Sequence, residues 1–289
     1  MASTITWETA RDLLKKFRED NVRNSKEIVD LWEVFQYDFK YKLGDEVWQV
    51  YEQVALAALD IYDIELAGSC IDALNSQFVD SLRVRKLTGM KLECQGRFKD
   101  ALGVYESILE EDETNSLVHK RIVALYKAQN NIPDAISKLN KYLEQFMADY
   151  EAWMELCDLY LLEMDYSKAA FCMEEVLMSN PHNHLYHQRY AEIKYTQGGL
   201  DNLETARAYF SQAAKLNSNN MRALFGLFMA ATNLAAKSKS EQKKENIKYA
   251  AWAAKMINEK YQMKKPVLDG SQLKTLESML SSLEISPSV

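Results

Sequence analysis

The sequence predicts an all-α protein, built as a right-handed solenoid of helix pairs. Turn-forming residues are scarce, because the 289 residues include only 9 Gly and 4 Pro, and a sheet protein of this size needs many more of them for its tight turns. A spacing of 34 residues separates four successive alanines, Ala67, Ala101, Ala135 and Ala169. Hydrophobic residues make up 47% of the chain, which is enough to bury a core along such an array.

The stretch that begins at Tyr150 shows how each repeat is built. Its first helix is predicted from apolar residues at spacings of three and four, Trp153, Leu156 and Tyr160. Its second helix is predicted from a similar stripe, Ala169, Met173 and Val176. Small Ala169 allows the two helices to approach closely, and Pro181 stops the second helix because it lacks an N–H group. Together with the period, this arrangement matches the tetratricopeptide pattern.

The repeats are expected to continue along the chain with two irregular places. We predict one solenoid domain over residues 1–289, with N-terminal capping helices in 1–47, about six tetratricopeptide-like repeats in 48–262, and a C-terminal capping helix and tail in 263–289. Ala206 comes three residues later than the period requires, which predicts a longer turn at residues 198–201. Ala250 comes ten residues later than the period requires, which predicts a flexible loop around residues 237–244. The C-terminal cap is predicted from leucines at helical spacing, Leu273, Leu276, Leu280 and Leu283.

Charge, hydropathy and cysteine content exclude several classes of protein. The net charge is -7 and no face is rich in Lys and Arg, so nucleic-acid binding is not expected. No stretch has the run of uncharged apolar residues that a membrane span requires, and the N-terminus resembles neither a signal nor a transit peptide. The four cysteines form no C-x-x-C pair, which predicts reduced, buried thiols in the cytosol. They are Cys70, Cys94, Cys157 and Cys172.

A solenoid of this kind normally binds a peptide or a partner helix in a groove lined by the first helices of its repeats. The residues predicted to line this groove are Arg83, Lys86, Met90, Lys120, Arg121, Lys127, Met154, Asp158, Gln188, Arg189 and Tyr195. The early part of the set is basic although the chain is acidic, which predicts an acidic or amphipathic partner segment at Lys86, Lys120 and Arg121. The alternative is an ordinary solvated helix face.

A chaperone-adaptor clamp is a sharper hypothesis for the same groove. Such a clamp grips a C-terminal carboxylate with Lys, Asn and Arg at fixed positions of three successive first helices. In the frame that begins at Lys86, Met90 and Arg121 occupy the places where asparagines are needed. In the next frame, Ala124 and Glu155 follow Lys120. Neither frame fits the clamp, so we do not expect this mode of binding.

Other candidate sites have simpler explanations. His182, His184 and His187 lie at a repeat turn and a helix start, without carboxylates or cysteines at ligand spacing, so turn and capping roles are expected and a metal site is not. Phosphate-binding and nucleophile motifs are missing from the sequence, so we expect neither a cofactor nor catalysis. One run of lysines is a candidate contact for anionic lipid or for an acidic partner, although such runs are more often solvated loops. It consists of Lys237, Lys239, Lys243 and Lys244, with Lys248 beyond it.

Four stretches of the sequence carry a family resemblance. They are NPHNHLYHQRYAEIKYTQGGLDNLETARAYFSQAAKLN from Asn180, KYAAWAAKMI from Lys248, RVRKLTGMKLE from Arg83 and LGDEVWQVYEQVALAALD from Leu43. They closely resemble the family of subunit 2 of the endoplasmic reticulum (ER) membrane protein complex. The resemblance covers nearly the whole chain and is least distinctive in the first dozen residues and after Gln262.

This resemblance implies a non-catalytic scaffold, peripheral to the membrane, at the cytoplasmic face of the endoplasmic reticulum. There the family organises an insertase for tail-anchored and some multipass membrane proteins. It implies partners among the other subunits, namely cytosolic parts of the third and fifth subunits and, in many species, a soluble subunit of the eighth/ninth type. Individual contact residues do not follow from it. The alternative function is a free cytosolic co-chaperone or adaptor that binds a peptide tail.

Overall fold

Helices form all the regular structure that is described. The structure, a computed structural model, describes residues 6–35, 40–239, 241–263 and 278. Within these residues there are fourteen α-helices, one short 3-10 helix and no strand. The predicted all-α fold of repeated helix pairs is thereby confirmed. The extent of a single domain over residues 1–289 and its division into caps and repeats stay predictions.

Two compact units divide the chain after Ala135. The first, residues 1–135, contains α1 (Trp7–Glu19), α2 (Ser25–Phe35), the 3-10 helix (Lys40–Leu43), α3 (Glu46–Asp60), α4 (Ile64–Gln77), α5 (Leu82–Cys94), α6 (Phe98–Glu111) and α7 (Ser116–Ala128). Helix α8 (Ile132–Gln145) begins in the first unit and continues into the second. The second, residues 136–289, contains α9 (Tyr150–Leu162), α10 (Tyr166–Ser179), α11 (His184–Gln197), α12 (Leu200–Leu216), α13 (Met221–Lys237) and α14 (Glu241–Met263). From α3 onward, first and second helices of successive pairs alternate along the chain.

Four of the pairs are joined by the same kind of three-residue turn. Its middle residue has a positive φ and is Tyr62, Gly96, Asn130 or Met164. In two of these turns the next residue caps the second helix: Asp63 Oδ1 accepts from the Leu66 N–H at 3.0 Å, and Asp165 Oδ1 from the Lys168 N–H at 3.1 Å. The fourth residue of each following helix is the periodic alanine, which is 0% exposed in every case. The period therefore places a buried small residue one turn into each of these second helices.

The N-terminal helices pack on the first repeat of unit 1. Trp32 of α2 is buried and meets the ring of Tyr51 on α3 edge-on, with 5.2 Å between the ring centroids. Arg11 of α1 donates from Nε and Nη2 to the two carboxylate oxygens of Glu46 on α3, at 2.9 and 3.0 Å. Arg18, near the C-terminal end of α1, donates from Nη1 to the side-chain oxygen of Gln53 on α3 at 2.7 Å, so α1 contacts α3 at both ends.

The irregular spacing before Ala206 has a different origin from the one predicted. A longer turn at residues 198–201 is wrong, because α11 ends at Gln197 and α12 begins at Leu200. Gly198 and Gly199, with φ of 74° and 84°, reverse the chain in two residues, a geometry that glycine adopts without steric cost. The extra residues instead lengthen α12, which has 17 residues against 14 in α10.

The lysine run after α13 is mostly helical. The predicted loop at residues 237–244 is wrong, because Lys237 is the last residue of α13, and α14 begins at Glu241 and includes Lys243 and Lys244. Lys, Glu and Gln are good helix formers, so this polar stretch extends the two helices. Lys239 lies between them and is exposed. Contact of these lysines with lipid or a partner stays a prediction, and the predicted leucine cap at residues 273–283 lies outside the described residues.

The helices were compared with the length and hydropathy of a membrane-spanning segment. In the part of the chain that the structure describes, no helix combines the length and the apolar character that crossing a bilayer requires.

The cysteines lead to a prediction about thiol reactivity. All four are free; Cys70, Cys157 and Cys172 are buried, and Cys94 is half-buried. Burial raises the pKa of Cys157 to about 11 and that of Cys172 to about 12. Because the thiolate is the reactive form, we expect an alkylating reagent at about pH 8 to leave Cys157 and Cys172 unmodified in the native protein. Peptide mass spectrometry before and after unfolding in urea measures this, and rapid native labelling of either residue would contradict it.

Candidate partner-binding surface

The predicted groove residues all lie on first helices. Arg83, Lys86 and Met90 lie on α5, and Lys120, Arg121 and Lys127 lie on α7, all in the first unit. The second unit holds Met154 and Asp158 on α9, and Gln188, Arg189 and Tyr195 on α11. Their positions on first helices are as predicted, the two groups lie in different units, and their role in binding a partner stays a prediction.

The two predicted groove arginines of the first unit are paired with carboxylates on neighbouring first helices. Arg83 on α5 contacts both carboxylate oxygens of Glu52 on α3, with Nε–Oε1 2.7 Å and Nη2–Oε2 2.6 Å. Arg121 on α7 donates from Nη1 to Glu93 Oε2 on α5 at 3.2 Å. The Tyr105 hydroxyl donates to the other oxygen of Glu93 at 2.7 Å. Arg83 and Arg121 therefore contribute less free positive charge than the sequence indicated.

The second unit repeats this arrangement. Arg189 on α11 pairs with Asp158 on α9, and Arg222 on α13 donates from Nε to Glu192 Oε1 on α11 at 2.6 Å. Tyr195 on α11 accepts a hydrogen bond from the Asn233 amide on α13. In both units a carboxylate on one first helix thus meets an arginine on the next first helix, in the same order along the chain. We call these four ion pairs the inter-repeat pairs.

Two predicted groove residues are packed inside. Gln188 is 8% exposed, and its amide donates to Glu192 Oε1 at 2.9 Å while its carbonyl accepts from the Asn220 amide at 2.8 Å. Met90 is 6% exposed. Their positions on first helices are as predicted, but an open contact surface is not what they provide. The remaining apolar candidate, Met154, is half-buried.

Lys86 differs from the arginines around it. It is half-buried on α5, and within the described residues its ammonium makes no hydrogen bond or ion pair. Burial is the main cause that lowers the pKa of Lys86; the positive charges of Arg83 and Arg121 lower it further, and Glu52 acts in the opposite direction. Lys86 is therefore a desolvated cation between two arginines that have carboxylate partners of their own.

A cleft of about 550 Å³ opens in the first unit beside these residues. Its walls come from α1, α2, α3, α5 and α7 and the turn after α1. The lining residues are Phe17, Arg18, Asn21, Val22, Arg23, Ser25, Ile28, Gln49, Glu52, Gln53, Leu56, Ala57, Asp60, Arg83, Met90 and Arg121. The sequence predicts only the α5 and α7 side of this cleft, because α1 and α2 precede the repeats and are expected to act as capping helices.

Glu93 gives the first unit a pH-dependent stability. Burial is the main cause that raises the pKa of Glu93, and the hydrogen bond from Tyr105 and the charge of Arg121 oppose it. A carboxyl whose pKa is raised by folding binds its proton more tightly in the native state, so its contribution to stability falls as pH rises through that pKa. We expect the wild type to gain stability relative to Glu93→Gln as pH falls from neutrality toward the ordinary glutamate pKa of about 4.5. Urea unfolding measures this. The same substitution at exposed Glu110 on α6 is the control, and parallel curves for wild type and Glu93→Gln would contradict the expectation.

The histidines form local contacts in the second unit. His187 Nε2 hydrogen-bonds the Pro181 carbonyl at 2.8 Å. His184 contacts the side-chain amides of Asn217 and Asn220, each at 2.9 Å. Among the described residues, no three His, Cys, Asp or Glu side chains are grouped so that they could hold a metal ion. The His187 contact agrees with the predicted turn role, whereas the predicted capping role belongs to Asn183, whose side chain accepts from the Leu185 N–H at 3.0 Å.

Comparison with solved structures supports the fold. The C-terminal part of a tetratricopeptide-repeat protein from Cytophaga hutchinsonii superposes with a TM-score of 0.58, covering 87% of this chain and 93% of that chain at 18% sequence identity. At this identity the likeness concerns the fold alone.

Comparison of sequences identifies the family. A family model described as the EMC2 TPR-like repeat domain matches residues 73–215. ER membrane protein complex subunit 2-B from Xenopus laevis is 51% identical over 288 residues, which is 98% of this chain and 97% of that protein. ER membrane protein complex subunit 2 from Dictyostelium discoideum is 31% identical, covering 86% of this chain and 81% of that protein. The chain therefore belongs to the family of ER membrane protein complex subunit 2.

Proposed function

We propose that the protein is a non-catalytic scaffold subunit of the ER membrane protein complex, acting at the cytosolic face of the membrane. Its helical repeats hold cytosolic parts of other subunits, the third and fifth among them, and a soluble subunit of the eighth/ninth type where one exists. Through these contacts it helps to organise an insertase for tail-anchored and multipass membrane proteins. The proposed contacts are the predicted groove residues that are not packed inside, on α5 and α7 in the first unit and on α9 and α11 in the second.

The observation that carries this proposal is the near full-length likeness to relatives that are named as subunits of this complex. The inter-repeat pairs give it physical support. Bidentate contacts such as that of Arg83 with Glu52 keep neighbouring first helices in one register. A surface with a fixed register is suited to hold a long segment of another protein.

Purification from cells tests the scaffold role. An epitope-tagged copy of the full chain, extracted in a mild detergent, is expected to carry membrane-embedded subunits in stoichiometric amounts, identified by mass spectrometry. The same extract without the tag is the control. Recovery of the tagged chain alone, as a free protein, would favour the co-chaperone alternative and contradict the proposal.

Two further assays test the side of the membrane and the role in insertion. In sealed microsomes, added protease should digest the chain without detergent while a lumenal protein stays intact. Depletion of the chain should lower insertion of a tail-anchored protein, and re-expression should restore it. Protection from the protease would contradict the cytosolic position, and unchanged insertion after depletion would contradict the insertase role.

A further inference from the structure

We propose that the cleft in the first unit binds an extended peptide segment in which carboxylate side chains stand next to aliphatic ones. This inference rests on the proposed scaffold function, because it names the chemistry of a segment that the scaffold holds. The cleft combines unmatched positive charge with exposed aliphatic side chains, and it has room for several side chains.

The first feature is an excess of positive charge. Four arginines and only two carboxylates line the cleft. Both carboxylates are already engaged: Glu52 contacts Arg83, and Asp60 contacts Arg23 and accepts from the Ser25 hydroxyl at 2.6 Å. Arg121 shares Glu93 with the Tyr105 hydroxyl. The lining therefore has little capacity left to neutralise further cations.

Arg18, which lines the cleft, and Lys86, which lies beside two lining residues, have no carboxylate contact among the described residues. Arg18 lies on α1, and its Nη1 donates at 2.7 Å to the neutral side-chain oxygen of Gln53, its one hydrogen-bond partner among the described residues. Lys86 lies one helical turn from both Arg83 and Met90, which line the cleft, and has no polar partner in the described part of the chain. Burial is the main cause that lowers the pKa of both Arg18 and Lys86. Partial burial of a cation that no carboxylate contacts directly is costly, so a carboxylate supplied by a bound peptide would stabilise the charged form of Arg18 or Lys86.

The second feature is apolar. Val22, in the turn after α1, is 46% exposed, and Leu56 on α3 is 36% exposed. Both line the cleft, as do Ile28 and Met90, which are largely buried. Aliphatic side chains at a cleft mouth gain stability when another apolar group removes them from water. An inorganic anion would leave these aliphatic side chains exposed to water, whereas a peptide with a leucine or valine beside its acidic residue would cover them.

Peptide selection on the full-length chain tests the inference. A phage library of random peptides of about twelve residues, which span about 40 Å when extended, is selected on the immobilised protein. Selected peptides are expected to be enriched in Asp and Glu next to Leu, Ile or Val. The affinity of individual labelled peptides is then measured by fluorescence anisotropy.

Matched variants locate the binding. The double substitution Arg18→Gln with Lys86→Gln is expected to weaken binding about tenfold or more, the size expected for loss of charge-assisted hydrogen bonds. Arg97→Gln with Lys99→Gln removes the same two residue types from exposed positions outside the cleft and is expected to leave affinity within about twofold. Circular dichroism and thermal unfolding confirm that both variants are folded.

Several results would overturn the inference. Failure to enrich any peptide, enrichment without acidic residues, or equal affinity for wild type and the Arg18/Lys86 variant would each do so. Acidic peptides without aliphatic residues that inorganic phosphate displaces would indicate a general anion site instead. The scaffold function is tested separately: if the tagged wild type and the Arg18/Lys86 variant both co-purify the complex and no peptide binds the cleft, the cleft inference fails while the scaffold function stands.

Discussion

Replacing Gly89 with alanine is expected to destabilise the first unit by about 1–3 kcal/mol, the usual cost of overpacking a core. A Cβ atom at this position of α5 would lie 2.5 Å from Cε1 and 2.7 Å from Cζ of Tyr105. The Tyr105 ring cannot move away freely, because it is 0% exposed and its hydroxyl donates to Glu93 at 2.7 Å. Chemical denaturation of the full chain, followed by circular dichroism, measures the loss.

Gly103 on α6 provides the matched control for Gly89. It is also a helical glycine, but a Cβ atom there would meet nothing within 4 Å. Gly103→Ala should therefore stabilise the protein by about 0.5–1 kcal/mol through helix propensity alone. In a double-mutant cycle, Tyr105→Ala should remove most of the cost of Gly89→Ala. If Gly89→Ala stabilises the protein as much as Gly103→Ala does, the close contact is not what requires glycine.

The repeat architecture could be predicted from the sequence because its determinants are local and periodic. The alanine period marks one buried position per second helix, and the aromatic and leucine spacings mark the first helices. The turn before α12 was misplaced because a change in spacing does not show where the extra residues are absorbed. Gly198-Gly199 could have indicated the short turn, since two adjacent glycines can both adopt positive φ.

The ion pairs of the surface are harder to predict from the sequence, because the two residues of each pair lie about one repeat apart. The inter-repeat pairs join residues separated by 28 to 31 positions. An acidic residue about one period before an arginine on the next first helix is a usable signal, although it emerges only after the helices are aligned. The repeat pattern does not indicate Arg18, because this residue belongs to α1, outside the repeats, and only the packing of α1 on α3 brings it to the cleft.

Replacing Asn220 with alanine is expected to destabilise the second unit by about 2–4 kcal/mol, because this buried side chain satisfies several groups at once. Its Oδ1 caps α13 by accepting from the Ala223 N–H at 3.0 Å. Its amide donates to Gln188 Oε1 at 2.8 Å and contacts His184 Nδ1 at 2.9 Å. Loss of a cap alone costs about 1 kcal/mol, and the larger effect arises because the buried Gln188 oxygen would lose its donor. Urea unfolding of the full chain measures it.

Asp63 and Gln188 supply the controls for Asn220. The Asp63 side chain makes only its capping hydrogen bond, to the Leu66 N–H, among the described residues, so Asp63→Ala should cost about 1 kcal/mol. Asn220→Asp keeps the capping oxygen but not the donor, and should fall between the wild type and Asn220→Ala. Gln188→Ala should make a subsequent Asn220→Ala cost little more than a lost cap, because the unsatisfied oxygen is then gone. If Asn220→Ala costs no more than Asp63→Ala, the hydrogen bond between α11 and α13 contributes nothing beyond capping.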